Sequence, residues 1–293
     1  MVRLRSSDTK LGGRHMAIKS ILLAYSGEQE NSGGLRLAIQ MALKYDAHLT
    51  GVVAHGESLS EARFSRYMNA DLHAMLQNRD NETVDTLRRD FETRTAEHLA
   101  PERTSFLDLH QNRHFTLAQA ARHYDIVVTG RRAFEPGHEH FGASPQQIAL
   151  DSGRPVILVP HGYDAPAINE HALIAWDGKR AAARALSDAM QILETKSLVT
   201  VLSVGSQNPD PIEGDNIETF LTRHGITVNR LHLPKSQTNA RGVAATIRQV
   251  CKDQGAGLLV MGAYQRSVTE EAMFGGTTVD ILTDADLPVL MSH

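Results

Sequence analysis

The chain alternates short, continuous apolar runs with amphipathic stretches, and glycines punctuate several of the runs. Ile18–Tyr25, His48–Ala54, Tyr124–Gly130 and Ser152–Pro160 are such runs in the first half, and His171–Trp176, Ser197–Val204, Leu258–Met261 and Leu287–Met291 in the second. Continuous runs of this length, where one wet face would give alternation, predict strands buried on both faces, as in a parallel sheet covered by helices. Leu35, Ile39, Ala42 and Leu43, and later Ala182, Leu186, Ala189, Met190 and Leu193, recur at helical spacing between strands.

The order strand, glycine turn, helix, strand occurs twice. Ile18–Tyr25 with Ser26-Gly27 corresponds to His171–Trp176 with Asp177-Gly178, Tyr124–Gly130 to Leu258–Gly262, and Ser152–Pro160 to Asp284–Ser292. A repeat of about 140 residues is too long for a solenoid unit and predicts a tandem duplication of one α/β domain. The expected domains are 16–162 and 170–293, joined by a linker at His161–Asn169 that Pro166 stiffens. Residues 1–15, polar and glycine-containing, are expected to be a disordered extension or tag.

The copies differ in length. Gly27 and Gly130 lie 103 positions apart, against 84 for Gly178 and Gly262, and the surplus falls in residues 58–99. There Phe64, Met68, Leu72, Met75, Leu76, Val84, Leu87 and Phe91 recur at helical spacing, which predicts one long helix or a helical hairpin whose methionines and phenylalanines cover the sheet. A partner-binding or ligand-gating role is the alternative for this insertion.

At 293 residues the chain suits two domains of ordinary size, and a formal charge of −4 gives no polyanion footprint, so nucleic acid is not an expected partner. No apolar run approaches the roughly 18 residues that span a bilayer, and the basic start lacks the apolar stretch of a signal peptide, so a cytoplasmic protein with no membrane partner is expected. The one cysteine, Cys251, cannot pair internally and is expected on a helix, Val243–Lys252, as a small core residue.

Ligands of such sheets lie past the carboxyl ends of the strands. In each copy that brings together the end of strand 1 (Tyr25-Ser26-Gly27 or Trp176-Asp177-Gly178), the end of strand 2 and the glycine loop after strand 4. In the second copy Gly275-Gly276-Thr277-Thr278 precedes Val279–Leu282 and reads as a glycine-rich turn opening a helix. Backbone N–H groups without an intervening Cβ, threonine hydroxyls and a helix N-terminus together make an anion site. Asp177 also suits a turn aspartate that caps the next helix.

From Gly262 the spacing resembles the G-x2-G-x9-G-[ST] signature of the universal stress protein (UspA-like) family, whose nucleotide-binding members hold ATP with that loop. Gly262 and Gly275 take the first and third glycine positions, Gln265 stands at the second and Gly276 at the Ser/Thr position, with Thr277 and Thr278 behind it. Trp176-Asp177-Gly178 resembles the family's apolar-Asp-Gly-Ser ending of strand 1, with Lys179 for the serine. The resemblance implies two tandem Rossmann-like (adenine nucleotide alpha hydrolase-like) domains, each a five-stranded parallel sheet of order 3-2-1-4-5 with helices on both faces. It further implies ATP or a related adenine nucleotide, with Mg, in the second domain, against Ala175, Trp176, Asp177, Val204, Met261, Gly262, Gln265, Gly275, Gly276, Thr277 and Thr278.

The first copy departs further from the pattern. Ser26 replaces the aspartate, Ala133 the second glycine, Pro136 interrupts the loop, and Gly142-Ala143-Ser144 arrives one residue early, so this copy is expected to keep the fold with a degenerate site. Ser26-Gly27 before Ser32-Gly33-Gly34 is similar to the SGGxDS loop of adenylating ATP pyrophosphatases, but Glu28 occupies the second glycine position. His138-Glu139-His140 offers metal-ligand residue types without a second pair at ligand spacing, so no metal is expected.

The reading is a non-catalytic, cytoplasmic stress-response protein. The alternative is a scaffold that binds no nucleotide and acts through protein partners or a small apolar ligand, and an ATP-hydrolysing or adenylating enzyme is a remote one. The two domains are expected to pack as an intramolecular pseudo-dimer through their last strands, with a homodimer and unidentified protein clients as further partners.

Overall fold

The computed structural model describes residues 18–27, 33–53, 70–109, 115–130, 145–205, 214–239, 241–263 and 276–293. The first half supplies β1 (Ser20–Ala24), β2 (His48–Val53), β3 (Thr104–Asp108), β4 (Ile126–Gly130) and β5 (Val156–Val159). The second supplies β6 (His171–Ala175), β7 (Leu198–Val204), β8 (Val228–Leu233), β9 (Leu258–Gly262) and β10 (Val289–Ser292). The helices are α1 (Gly33–Tyr45), α2 (Ala70–Ala96), α3 (Leu117–Ala121), α4 (Pro145–Ser152), α5 (Arg180–Leu193), α6 (Ile217–Arg223), α7 (Val243–Asp253) and α8 (Thr277–Asp284).

The ten strands form one sheet in the order β3-β2-β1-β4-β5-β10-β9-β6-β7-β8. Each half is a parallel 3-2-1-4-5 sheet. The halves join where β5 meets β10 in antiparallel register, with Leu158 opposite Val289 and Val156 opposite Met291. Val156 to Val159 and Val289 to Met291 are at most 1% exposed, so each half covers the other's apolar edge.

The apolar runs form the inner strands because both sheet faces are covered. Ile21 and Leu23 face one core with Ile126 and Val128, while Leu22 and Val127 face the other. Helices α1, α2, α5 and α6 close the first face, and α3, α4, α7 and α8 the second. Local sequence fixes some ends: Thr116 caps α3 by accepting the Gln119 N–H, and the Gln119 side chain accepts the Thr116 N–H in return. On α7, Cys251 is buried in the second core, and burial pushes its thiol up to about 12.

Helix α2 corrects one expectation. Val84, Leu87 and Phe91 are buried on the sheet, but Leu72 is 43% and Met75 70% exposed, so these two do not cover it. A 27-residue helix runs about 40 Å at 1.5 Å per residue, twice the about 20 Å of the 6-residue β2. Phe64, Met68 and the side chain of Leu76 lie outside the described residues. Phe91 seats itself over Gly51, where a Cβ would stand 2.8 Å from its ring, and meets Tyr25 edge-on at 5.7 Å and Phe106 at 5.7 Å.

The segment between the halves is held at several points. Arg36 of α1 pairs with Asp164 at 2.7 Å, Gln40 donates to the Ala165 carbonyl at 2.8 Å, and Asn169 donates to the Gly255 carbonyl at 3.1 Å. Among the described residues no helix is long and apolar enough to cross a membrane.

Candidate functional site

The carboxyl ends of β6, β7 and β9 lie side by side, since Ile174 is in register with Val260 and Ala175 with Leu202. Past β6 the Trp176 N–H donates to the Leu202 carbonyl at 2.8 Å, and the chain turns through Gly178 at φ 71°, a left-handed conformation that favours glycine. Trp176 is half-buried against the first core. The Asp177 carboxylate accepts the Lys179 N–H at 3.0 Å, and the Lys179 ammonium stands 3.8 Å from it. Asp177 therefore shapes the turn into α5, while its side chain remains 40% exposed.

Gly262 ends β9 against the first turn of α5. A Cβ there would fall 2.5 Å from the Ala181 carbonyl carbon and 2.6 Å from the Ala182 nitrogen, both backbone atoms. Close packing of strand on helix is reason enough for this glycine, and the contact sets the β9 end beside the Asp177 turn. Met261 is buried at 6% exposure, so its side chain belongs to the core. Val204, half-buried, closes β7 before Gly205 at φ 94°.

Helix α8 starts at Thr277 with Gly276 as its N-cap, and no side-chain hydrogen bond caps it. Its first backbone N–H groups are thus left to other acceptors, and a helix start attracts anions through these donors and the helix dipole. Thr277 is exposed, whereas Thr278 is buried at 7%. Of the residues proposed from the sequence, Ala175, Trp176, Asp177, Val204, Met261 and Gly262 come together at the strand ends. Gln265 and Gly275 lie outside the described residues.

The equivalent place in the first half is built differently. Gly27, at φ 68°, has Leu87 of α2 against it, with Cδ2 only 2.0 Å from where a Cβ would stand. The Tyr25 hydroxyl donates to Asp90, and Asp90 pairs with Arg94 at 2.9 Å. Ala133, Pro136, His138 to His140 and Gly142 to Ser144 lie outside the described residues, among which no group of three or more potential metal ligands occurs. The sequence reading did not anticipate Leu87 beside Gly27, although the spacing of Val84, Leu87 and Phe91 carried the signal.

Residues 169–293 match the model of the Universal stress protein family. Over 179 residues the chain is 26% identical to the universal stress protein Slr1230 of Synechocystis sp. (strain ATCC 27184 / PCC 6803 / Kazusa), a match that covers 57% of each chain. Among solved structures, a universal stress protein from Archaeoglobus fulgidus DSM 4304 aligns over 93% of this chain and 95% of its own at TM-score 0.67 and 16% identity. A putative universal stress protein from Pseudomonas aeruginosa UCBPP-PA14 aligns over 95% and 94% at TM-score 0.51 and 16% identity. At such identities the two structures share the fold with this chain. The strand order and these matches define a Rossmann-type α/β fold of the kind seen in universal stress proteins. Residues 169–293 thus match the universal stress protein family model, and the chain as a whole shares the fold of a solved universal stress protein.

Proposed function

We propose that the chain is a tandem universal stress protein that binds an adenine nucleotide, ATP or a close relative with Mg, in its second half only, and acts by association in place of catalysis. The observation that carries this reading is the start of α8. Its N-terminus lacks a side-chain cap and follows Gly276, with the exposed Thr277 hydroxyl beside it. A phosphate on such a start gains about 0.3–1 kcal/mol per exposed contact and up to about 2 when partly buried. Asp177 and the backbone at Val204 supply the polar edge for the nucleoside, on strand ends that the register of β6 with β7 and β9 holds together.

In the first half Ser26 replaces the aspartate, and Leu87 occupies the ground beside Gly27. One nucleotide per chain is the expected stoichiometry. Calorimetric titration with Mg-ATP tests the reading: one site in the wild type, weaker binding in Asp177→Ala, tighter binding in Gln265→Gly. No heat from either wild type or Gln265→Gly would leave the alternative of a scaffold that works through partners.

A further inference from the structure

The last row of side chains on the first face of the sheet differs between the halves. The Trp176 N–H donates to the Leu202 carbonyl at 2.8 Å, just as the Tyr25 N–H donates to the Val52 carbonyl at 2.9 Å. One residue further along, Ser203 is in register with His232, as Val53 is with Asp108. Trp176 packs on the first core, and so do Val199 and Val201 of β7 and Val228 of β8, so strand alternation turns Ser203 and His232 to that same face. The row is therefore Tyr25, Val53 and Asp108 in the first half and Trp176, Ser203 and His232 in the second.

The 27-residue α2 seals the first row. Its Phe91 ring meets Tyr25, its Asp90 accepts the Tyr25 hydroxyl, and Tyr25 and Val53 are at most 2% exposed. The corresponding helix of the second half, α6, has seven residues, and Trp176, Ser203 and His232 are all half-buried. They present an indole N–H, a hydroxyl and an imidazole side by side. None of these side-chain groups has a hydrogen-bond partner among the described residues, and His232 Nδ1 is buried.

A buried polar atom without a partner costs free energy and asks for an explanation. This row lies at the carboxyl ends of the strands, where ligands of such sheets bind. A ligand that suits all three groups is flat and uncharged, with donors and acceptors on its edge. A nucleobase has that chemistry, and aromatic side chains accept one on their faces.

We propose that Trp176, Ser203 and His232 hold the base of the nucleotide, with Ser203 Oγ and His232 Nδ1 bonding its polar edge and the Trp176 ring packing on it. The inference rests on the nucleotide reading above and adds the groups that recognise the base. β7 lies two strands from β9, the strand from which the chain runs on to α8. At about 4.8 Å per strand that is roughly 10 Å, a span that one nucleotide covers. In the first half α2 covers the equivalent row, so no second base is held there.

Trp176 is the single tryptophan of the chain, so its emission reports this row alone. The test pairs calorimetry with tryptophan fluorescence on the full chain. Mg-ATP is expected to change the emission saturably with the calorimetric midpoint, and Mg-tripolyphosphate, the probe without a base, to leave it unchanged. His232→Phe is expected to weaken ATP binding at least fivefold, and His232→Asn, which keeps a polar nitrogen near the place of Nδ1, to recover most of the loss. ATP bound with silent Trp176 emission, an equal response to tripolyphosphate, or wild-type ATP affinity in His232→Phe would each overturn this inference and leave the nucleotide reading standing. No calorimetric binding of ATP would overturn both. The emission measurement uses the wild-type chain and decides the matter even if a variant fails to fold.

Discussion

Leu87 stands where a side chain on Gly27 would have to begin, its Cδ2 2.0 Å from the Cβ position, so the long α2 of the first half lies against the end of β1. The contact couples the extra length of this helix to the place where the second half carries Gly178. Gly27→Ala is expected to cost about 1–2 kcal/mol from its left-handed backbone alone, with a further penalty as Leu87 shifts. Leu87→Ala alone should cost about 2–5 kcal/mol as a buried truncation. In a double-mutant cycle by urea denaturation the two costs should total more than the double variant loses; strict additivity would mean the residues do not meet.

Gly262 should be less forgiving than the glycines at open turns. A methyl there meets the backbone of Ala181 and Ala182, which cannot rotate away, whereas the Cβ position at Gly205 meets nothing within 4 Å. Gly262→Ala is expected to destabilise by at least about 2 kcal/mol through overpacking, and Gly205→Ala only by its left-handed strain of about 1–2 kcal/mol. Equal midpoints and slopes for Gly262→Ala and wild type in urea would refute the packing role.

Lys196 makes a prediction about pH. Its folded value, about 8, lies below the ordinary 10.5, so between those values the unfolded chain binds more protons and stability rises with pH. The rise should be on the order of 3–3.5 kcal/mol if complete, and it should be absent in Lys196→Met. Tyr45 and Tyr163, raised by burial, act in the opposite sense once pH passes 10, so unfolding free energies are best compared from pH 7.5 to 9.5. A wild type whose stability falls across that window in parallel with the variant would contradict the assignment.

The β5 and β10 pairing predicts the behaviour of the second half alone. Expressed as residues 169–293, it would bare the β10 edge, where Val289, Leu290 and Met291 are fully buried in the whole chain. An apolar edge of this kind pairs with a copy of itself, so light scattering should report about twice the monomer mass. A stable monomer would show that the edge does not drive association.

Much of this architecture was legible in the residues. The inner strands β1, β4, β6, β7 and β9 were readable because burial on two faces makes their apolar runs continuous, and the repeated glycine turns gave the duplicated order. The edge strands β3 and β8 were not singled out: Thr104–Asp108 and Val228–Leu233 are half-exposed, so Asp108, Asn229, Arg230 and His232 blur the pattern. The exposure of Leu72 and Met75 was hidden because helical periodicity shows which residues share a face but not what that face meets. Gly262 was legible as a glycine of the loop signature, yet its contact with α5 is a tertiary fact.

Photo-crosslinking with 8-azido-ATP and magnesium, followed by peptide mapping of the full chain, tests the central claim most directly. The account predicts labelled peptides confined to residues 169–293, about one label per chain at saturation, displaced by ATP and diminished in Asp177→Ala. Label on residues 18–162, or no ATP-displaceable label at all, would contradict it.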